Sequence, residues 1–323
     1  MKESLYHKLK GQTVHSLSRT AYSPKKLVAI SAGVPLALSL VILLVDWLLN
    51  QQIGTTGGLG GMDQRAILTT IQSVLRLAQV AVLPFWSMGY VYAMLRTAKT
   101  QDAEPSTLLQ GFRNWAPVLR LTMLQATLVL AVGFASAQLG SSLFLMTPWA
   151  APLTDQLEAL INAGADLSDV AVMEQMLDLF LSSSIIPMLI FVLVIFLALY
   201  FLIIYRFRLA EYCLMENPSL GAMKSLSMSL RTMKGHYFDM LRLDLRLIWY
   251  HALTVLAVLL LYGDVALEAM GVALPWSADV SLFLFTILSA GGQFALSLWR
   301  QNEVTQIYTH AYLTFSCANP DPS

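Results

Sequence analysis

Six long apolar runs divide the chain, at residues 27–49, 67–95, 115–139, 185–205, 245–267 and 280–299. As helices, runs of this length cross a hydrocarbon layer of about 30 Å. The first is too long for the core of a signal peptide, and no Ala-x-Ala follows it, so it is expected to remain as the first span. The pattern predicts an all-α, polytopic integral membrane protein with six transmembrane helices. The expected layout is a basic tail (1–26), a six-helix membrane domain (27–300) and an amphipathic tail (301–323).

The polar connections carry patterns of their own. In 218–234, Leu220, Met223, Leu226, Leu230 and Met233 recur at steps of three and four, one apolar stripe on a helix. Asn217-Pro218 reads as its start and Gly235 as its stop. Such a helix is expected to lie in the membrane surface with its stripe down. After Arg300, the positions Val304, Ile307, Tyr308, Ala311, Tyr312 and Phe315 suggest a second interfacial helix. In the loop 147–181, Leu157, Leu160 and Ile161, then Val172, Met173, Met176, Leu177 and Phe180, predict two short amphipathic helices broken at Gly164. The glycine-rich loop 50–65 lacks the Gly-Lys-Ser/Thr ending that a phosphate-binding loop needs.

Composition agrees with a membrane setting. The 323 residues are 56% hydrophobic and 12% charged, about half the charged share of a soluble protein. Net charge is zero, which gives no electrostatic support to a nucleic-acid partner. The signs are segregated. Six Lys/Arg lie in the N-terminal tail, and Arg206, Arg208, Lys224, Arg231, Lys234, Arg242 and Arg246 lie between the fourth and fifth spans. The three loops on the other side hold one basic residue, Arg65, among ten acidic ones. Basic residues concentrate on the cytoplasmic side of spans, so both termini are expected there, in a bacterial cytoplasmic membrane.

Candidate chemistry is sparse. Arg76 falls about 13 Å into the second span at 1.5 Å per residue. Burial there costs about 2.5–3.5 kcal/mol, so it must face the bundle, reach a wet cavity or snorkel. Gln79 shares its face, and Asp46 near the outer end of the first span is a possible ion-pair partner. Two readings stay open: a structural Arg76–Asp46 pair, or a polar site for an anionic headgroup or solute made by Arg76, Gln79, Asp46 and Gln293. His251 and Gln293 sit in the inner halves of their spans, and His251 is expected to hydrogen-bond a neighbouring helix. Gly133, Ala137 and Ser141, and Gly291 and Ala295, form small-residue ridges suited to close helix packing. Lys224, Arg231 and Lys234 are candidates for lipid headgroups. Asp239, Arg242 and Arg246 have the spacing of an ion-pair ladder along a helix. The five His and two Cys have no metal-ligand spacing, and no catalytic signature occurs. No cofactor is expected, and the chain is read as non-catalytic.

The two large basic connections resemble each other. One reads Glu104-Pro105-Ser106, Gly111-Phe112, Leu119-Arg120-Leu121, and the other Glu216-Asn217-Pro218-Ser219, Gly235-His236-Tyr237-Phe238, Leu241-Arg242-Leu243. A parallel duplication and chance likeness of helix-start and helix-stop signals both account for this. Ser229-x-x-x-Met233-Lys234-Gly235, together with Gly89-Tyr90 and Leu108-Leu109-x-Gly111-Phe112, resembles the motifs of the domain of unknown function 975 family, with an echo at Ala311–Phe315. The spacing from Leu243 to Trp249 and the lack of a Pro-Tyr pair before the last span depart from that pattern. The family is similar to the membrane domain of some glycerophosphodiester phosphodiesterases, which implies a module near lipid metabolism. The leading expectation is a protein that binds or transports a lipid-like or small amphiphilic solute, with membrane lipids as partners. The alternative is a scaffold or accessory subunit, in a homo-oligomer or with another membrane protein, docking through Met223, Leu230 and Met233.

Overall fold

The computed structural model describes residues 5–19, 24–55, 61–162, 185–269 and 278–318. Among the described residues there is no strand, and six helical stretches are long and apolar enough to cross a membrane. The helices are α1 (Leu5–Arg19), α2 (Pro24–Thr55), α3 (Gly61–Ala98), α4 (Gln110–Arg113), α5 (Trp115–Leu145), α6 (Ala151–Asn162), α7 (Ile185–Leu202), α8 (Ala210–Glu216), α9 (Gly221–Met233), α10 (Tyr237–Arg246), α11 (Ile248–Leu259), α12 (Gly263–Ala269), α13 (Ala278–Leu296) and α14 (Asn302–Ala318). Large apolar side chains such as Leu44, Leu77, Leu193 and Val255 are exposed along the spans. On a water-soluble protein such faces would be costly; against lipid tails they are matched.

The chain divides into two units, Met1–Leu121 with Leu209–Ser323, and Thr122–Arg208. In the first, α2 packs on α3 and α13, and α11 packs on α13. A core of Leu27, Val28, Tyr90, Ala93, Met94, Ala103 and Leu108 joins the start of α2, the end of α3 and the turn Pro105–Leu109. Gly89 and Gly111 set this junction. A Cβ on Gly89 would overlap the Leu108 carbonyl, and one on Gly111 would overlap the Phe85 carbonyl. Backbone therefore meets backbone where α3 turns back on itself through α4. In the second unit, Gly140 of α5 lies against the Val192 backbone of α7, and Phe144 meets Phe191 edge-on at 6.1 Å. The acidic loop begins with α6, the first of its two expected helices; the second lies outside the described residues.

Both tails differ from their expected forms. Residues 5–19 are helix α1, which lies against α14. Ser16 Oγ lies 3.1 Å from His310 Nε2, and Lys10 lies 3.6 Å from Glu303. The two ends of the described chain therefore lie together. Nor is α14 an interfacial tail: Val304, Gln306, Ile307, Tyr308, Thr309, His310, Ala311, Tyr312 and Phe315 are all buried. Its side chains reach α1 (His310 to Ser16), α3 (Gln306 to Met94), α8 (Tyr312 to Tyr212) and α11 (Tyr308 to His251), so the helix is enclosed on several sides.

The basic helix is also rearranged. Pro218–Leu220 is a 3₁₀ turn, Asn217 makes no side-chain cap, and the α-helix starts at Gly221. Gly235 ends it at φ 85°, a left-handed value open to glycine at little cost. The packed face of α9 holds Ala222, Ser225, Leu226, Ser229, Thr232 and Met233, which is turned off the apolar stripe. Met223 is 69% exposed and Leu230 40%, whereas Met233 is 3% exposed and cannot dock a partner. Small hydroxyl residues win this face because they allow close approach to α8 and satisfy themselves on the helix backbone, as Ser225 does on the Gly221 carbonyl at 2.8 Å. The two expected repeats share a Pro-initiated 3₁₀ turn, at Pro105 and Pro218. Their glycines differ: Gly111 serves close packing, while Gly235 faces open space in a left-handed turn.

Candidate functional site

Among the spans of the first unit, α2, α3 and α13 line a half-open cavity of about 360 Å³. Its polar members come at helical steps of four: Ser31 and Ser39 either side of Pro35 on α2, then Gln293, Ser297 and Gln301 at the end of α13. The third helix, α3, contributes Trp86, Ser87 and Tyr90, with Leu83 beside them. Pro35 has no N–H, so it leaves the carbonyl of Ser31, one turn back, without its helical donor. Trp86 fills that vacancy, its indole N–H donating to Ser31 O at 2.7 Å. A break in one helix is thus closed by a side chain of the next, and the cavity sits beside the break.

The α13 wall ends in a π-helical turn, Ser297–Gln301, before α14 continues. Such turns insert a residue into an α-helix and are frequent at functional sites. Here the turn contributes both Ser297 and Gln301 to the cavity. Gln293 Nε2 donates to Ser289 Oγ at 3.1 Å. Tyr90 is buried and donates to Asn302 Oδ1 at 2.9 Å. Gln301 Oε1 is buried and has no hydrogen-bond partner among the described residues. An orphaned acceptor of this kind costs about 1–3 kcal/mol unless something fills it. None of the lining side chains carries a formal charge. The cavity therefore suits a neutral hydrogen-bond donor attached to an apolar body; an ion would be left without compensation.

Of the sequence candidates for a polar site, Gln293 lines this cavity. The backbones of Asp46, Arg76 and Gln79 lie within α2 and α3, but their side chains fall outside the described residues. Arg76 is about 10 Å along α3 from Leu83, the first cavity residue on that helix. Sequence pattern alone did not single out the serines or Gln301. The signal available was the repeated step of four, with Pro35 at its centre.

A second polar assembly lies where α14 meets α8 and α3. Glu216 accepts from Lys99 and from the Tyr312 hydroxyl. Tyr312 stacks on Tyr212 at 5.7 Å, and His236 stacks on Phe315 at 4.3 Å. Gln306 Nε2 donates to Met94 O at 3.3 Å. His251 bonds a neighbouring helix through Tyr308: its Nε2 is 2.9 Å from the hydroxyl, which donates to Asp244 Oδ1 at 2.7 Å. Cys213 is buried beside this group as a small apolar residue. Lys224, Arg231 and Lys234 stand on the exposed side of α9. The expected ladder on α10 does not form: Asp239 pairs with His236 at 3.7 Å, and Arg242 makes no ion pair among the described residues. On the small-residue ridges, Gly133 and Gly291 face open space among the described residues.

These features define an all-α integral membrane protein; in its first unit, α3 and α13 lead into a packed, polar collar formed with α1, α8, α9 and α14. The chain belongs to the family described as Protein of unknown function (DUF975), whose model matches residues 24–309. The motif residues that carried the resemblance sit at the α3–α4 junction (Gly89, Leu108, Gly111) and in the collar (Ser229, Met233, Tyr312, Phe315). No curated protein and no solved structure matches the chain, so the likeness to glycerophosphodiester phosphodiesterases gains no support there.

Proposed function

We propose that this protein binds or transports a lipid-like or small amphiphilic solute in the cavity between α2, α3 and α13. The observation that carries this reading is the buried, unpartnered Gln301 Oε1 in an uncharged wall of serine, glutamine and tyrosine. A hydroxyl or amide N–H of the solute donates to Gln301, while its apolar part lies along Leu36, Leu83 and Phe294. Neutral polar lining favours an uncharged headgroup over the anion that Arg76 suggested. The membrane is the cytoplasmic membrane of a bacterium, with both termini inside, because the basic residues of the chain gather on that side. The protein acts without a cofactor and without catalysis.

The test is mass spectrometry on protein purified in native lipid discs, wild type beside Gln301→Leu. Leucine keeps the volume and removes both the orphan acceptor and its bond to the ligand, so the fold is expected to survive with an unchanged or raised melting temperature. A neutral amphiphile retained by wild type and reduced about tenfold or more in the variant is expected. Equal retention by both would sink the cavity reading.

A second reading draws on Met223 and Leu230, exposed beside Lys224 on α9. That edge fits a scaffold or accessory subunit docking another membrane protein. A stoichiometric protein partner, kept by Gln301→Leu and lost by Met223→Glu, would favour it.

A further inference from the structure

The short helix α10 enters the membrane-spanning helix α11 through a single break at Leu247. Its inner face is pinned, with Met240, Leu243 and Leu247 buried. Its outer face carries Arg242 and Arg246, one turn apart and therefore on one side of the helix. They line a pocket of about 530 Å³ closed by Leu5 and Tyr6 of α1, with Leu245 on its rim. Arg246 lies over the Tyr6 ring at 5.3 Å, which holds that guanidinium in place. Arg242 is exposed and has no ion-pair partner among the described residues, although Asp239 sits at the spacing that normally supplies one. Phe238 and Trp249 flank the pair at 71% and 78% exposure. Aromatic residues of this kind mark the headgroup level of a bilayer. The pocket thus stands where a span begins, with cationic groups at headgroup height and apolar surface leading down into the lipid.

We propose that this pocket is a binding site for a single phospholipid headgroup. Two guanidinium groups on one helix face offer paired N–H donors, which match phosphate oxygens. Asp239, one turn before Arg242, also lines the pocket. A carboxylate only accepts hydrogen bonds, so it selects lipids whose phosphate bears a donating group, such as the hydroxyls of glycerol. A phosphodiester lipid with a hydroxylated headgroup, phosphatidylglycerol being the simplest, meets both requirements. Its acyl chains run along the exposed Leu245, Ile248 and Trp249. The site is separate from the cavity at Gln301 and does not depend on what that cavity holds.

The experiment is native mass spectrometry of the full-length protein in detergent, titrated with phosphatidylglycerol, with diacylglycerol as the phosphate-free control. Wild type is expected to retain phosphatidylglycerol over diacylglycerol. Each basic group near a phosphate contributes enough that Arg242→Gln should weaken retention about fivefold, and Arg242→Gln with Arg246→Gln about thirtyfold. Arg242→Gln removes an exposed side chain with no ion pair, so a fold defect does not confuse its result. Lys224→Gln with Lys234→Gln should leave retention within about twofold. Unchanged retention in the Arg242 variant would overturn the site. So would an equal loss in the lysine variant, which would reduce the effect to general surface charge. Competition by free glycerol 3-phosphate as effective as the lipid would also overturn it, because the span would then contribute nothing.

Discussion

Gly89 and Gly111 hold two stretches of backbone in direct contact, and neither has room for a methyl group. The atoms in the way are carbonyls of Leu108 and Phe85, which cannot rotate aside as a side chain could. Gly89→Ala should therefore force α3 and the Pro105–Leu109 turn apart, at a cost of at least the about 1–3 kcal/mol typical of overpacking. Thermal unfolding in detergent would read this as a clear fall in melting temperature, and an unchanged midpoint would mean the junction yields easily. Both glycines stood out in the sequence as motif letters. What the motif served was illegible, because a close approach between residues far apart in the chain, Gly89 with Leu108 and Phe85 with Gly111, leaves no mark on either one. Ser225 and Ser229 were hidden for a different reason. They are fully buried, yet a hydropathy pattern places serine outside, since it cannot register a hydroxyl such as that of Ser225 satisfied on its own helix.

Among elements, α14 shows most plainly how a periodic pattern can be right about a stripe and wrong about a helix. The apolar stripe from Val304 to Phe315 exists and is buried. The opposing polar arc, with Gln306, Thr309 and His310, is buried as well, because His310 meets Ser16 of α1 and Gln306 meets Met94 of α3. Sequence periodicity predicts one packed face, and a helix enclosed on several sides departs from that only through its tertiary partners. The α1–α14 contact should rest on packing more than on charge. Leu9 of α1 is fully buried, so Leu9→Ala should cost about 2–5 kcal/mol. The Lys10–Glu303 pair is solvent-accessible, so Lys10→Gln should cost less than about 1 kcal/mol. Denaturant unfolding of the two variants checks the order, and a larger loss at Lys10 would reverse the argument.

At the scale of the molecule, the six spans were legible because an uninterrupted apolar run of about twenty residues matches the thickness of a bilayer and little else. Orientation was read from sign segregation alone, and the pairing of α1 with α14 adds that both described ends lie together. The two cysteines offer a check on which side that is. Cys317 is exposed and Cys213 is buried. A membrane-impermeant maleimide should label Cys317 in inside-out vesicles and leave it unlabelled in intact cells stripped of their outer layers. Cys213 should react only after unfolding. Labelling of Cys317 from outside would invert the proposed topology. The Arg76 question stays with the pair of spans that carry it, while Gln293 joined a cavity whose other walls carry no hydropathy signal of their own.

The contact between α1 and α14 also orders events in time. A chain leaves the ribosome from its N-terminus at about 5–20 residues per second. Helix α1 thus waits some tens of seconds for α14, with Leu9, Thr13 and Ser16 uncovered meanwhile. Joining them closes a loop that holds all six spans. Newly inserted protein therefore passes through a stage in which its membrane helices are in place and its first helix is still unclaimed.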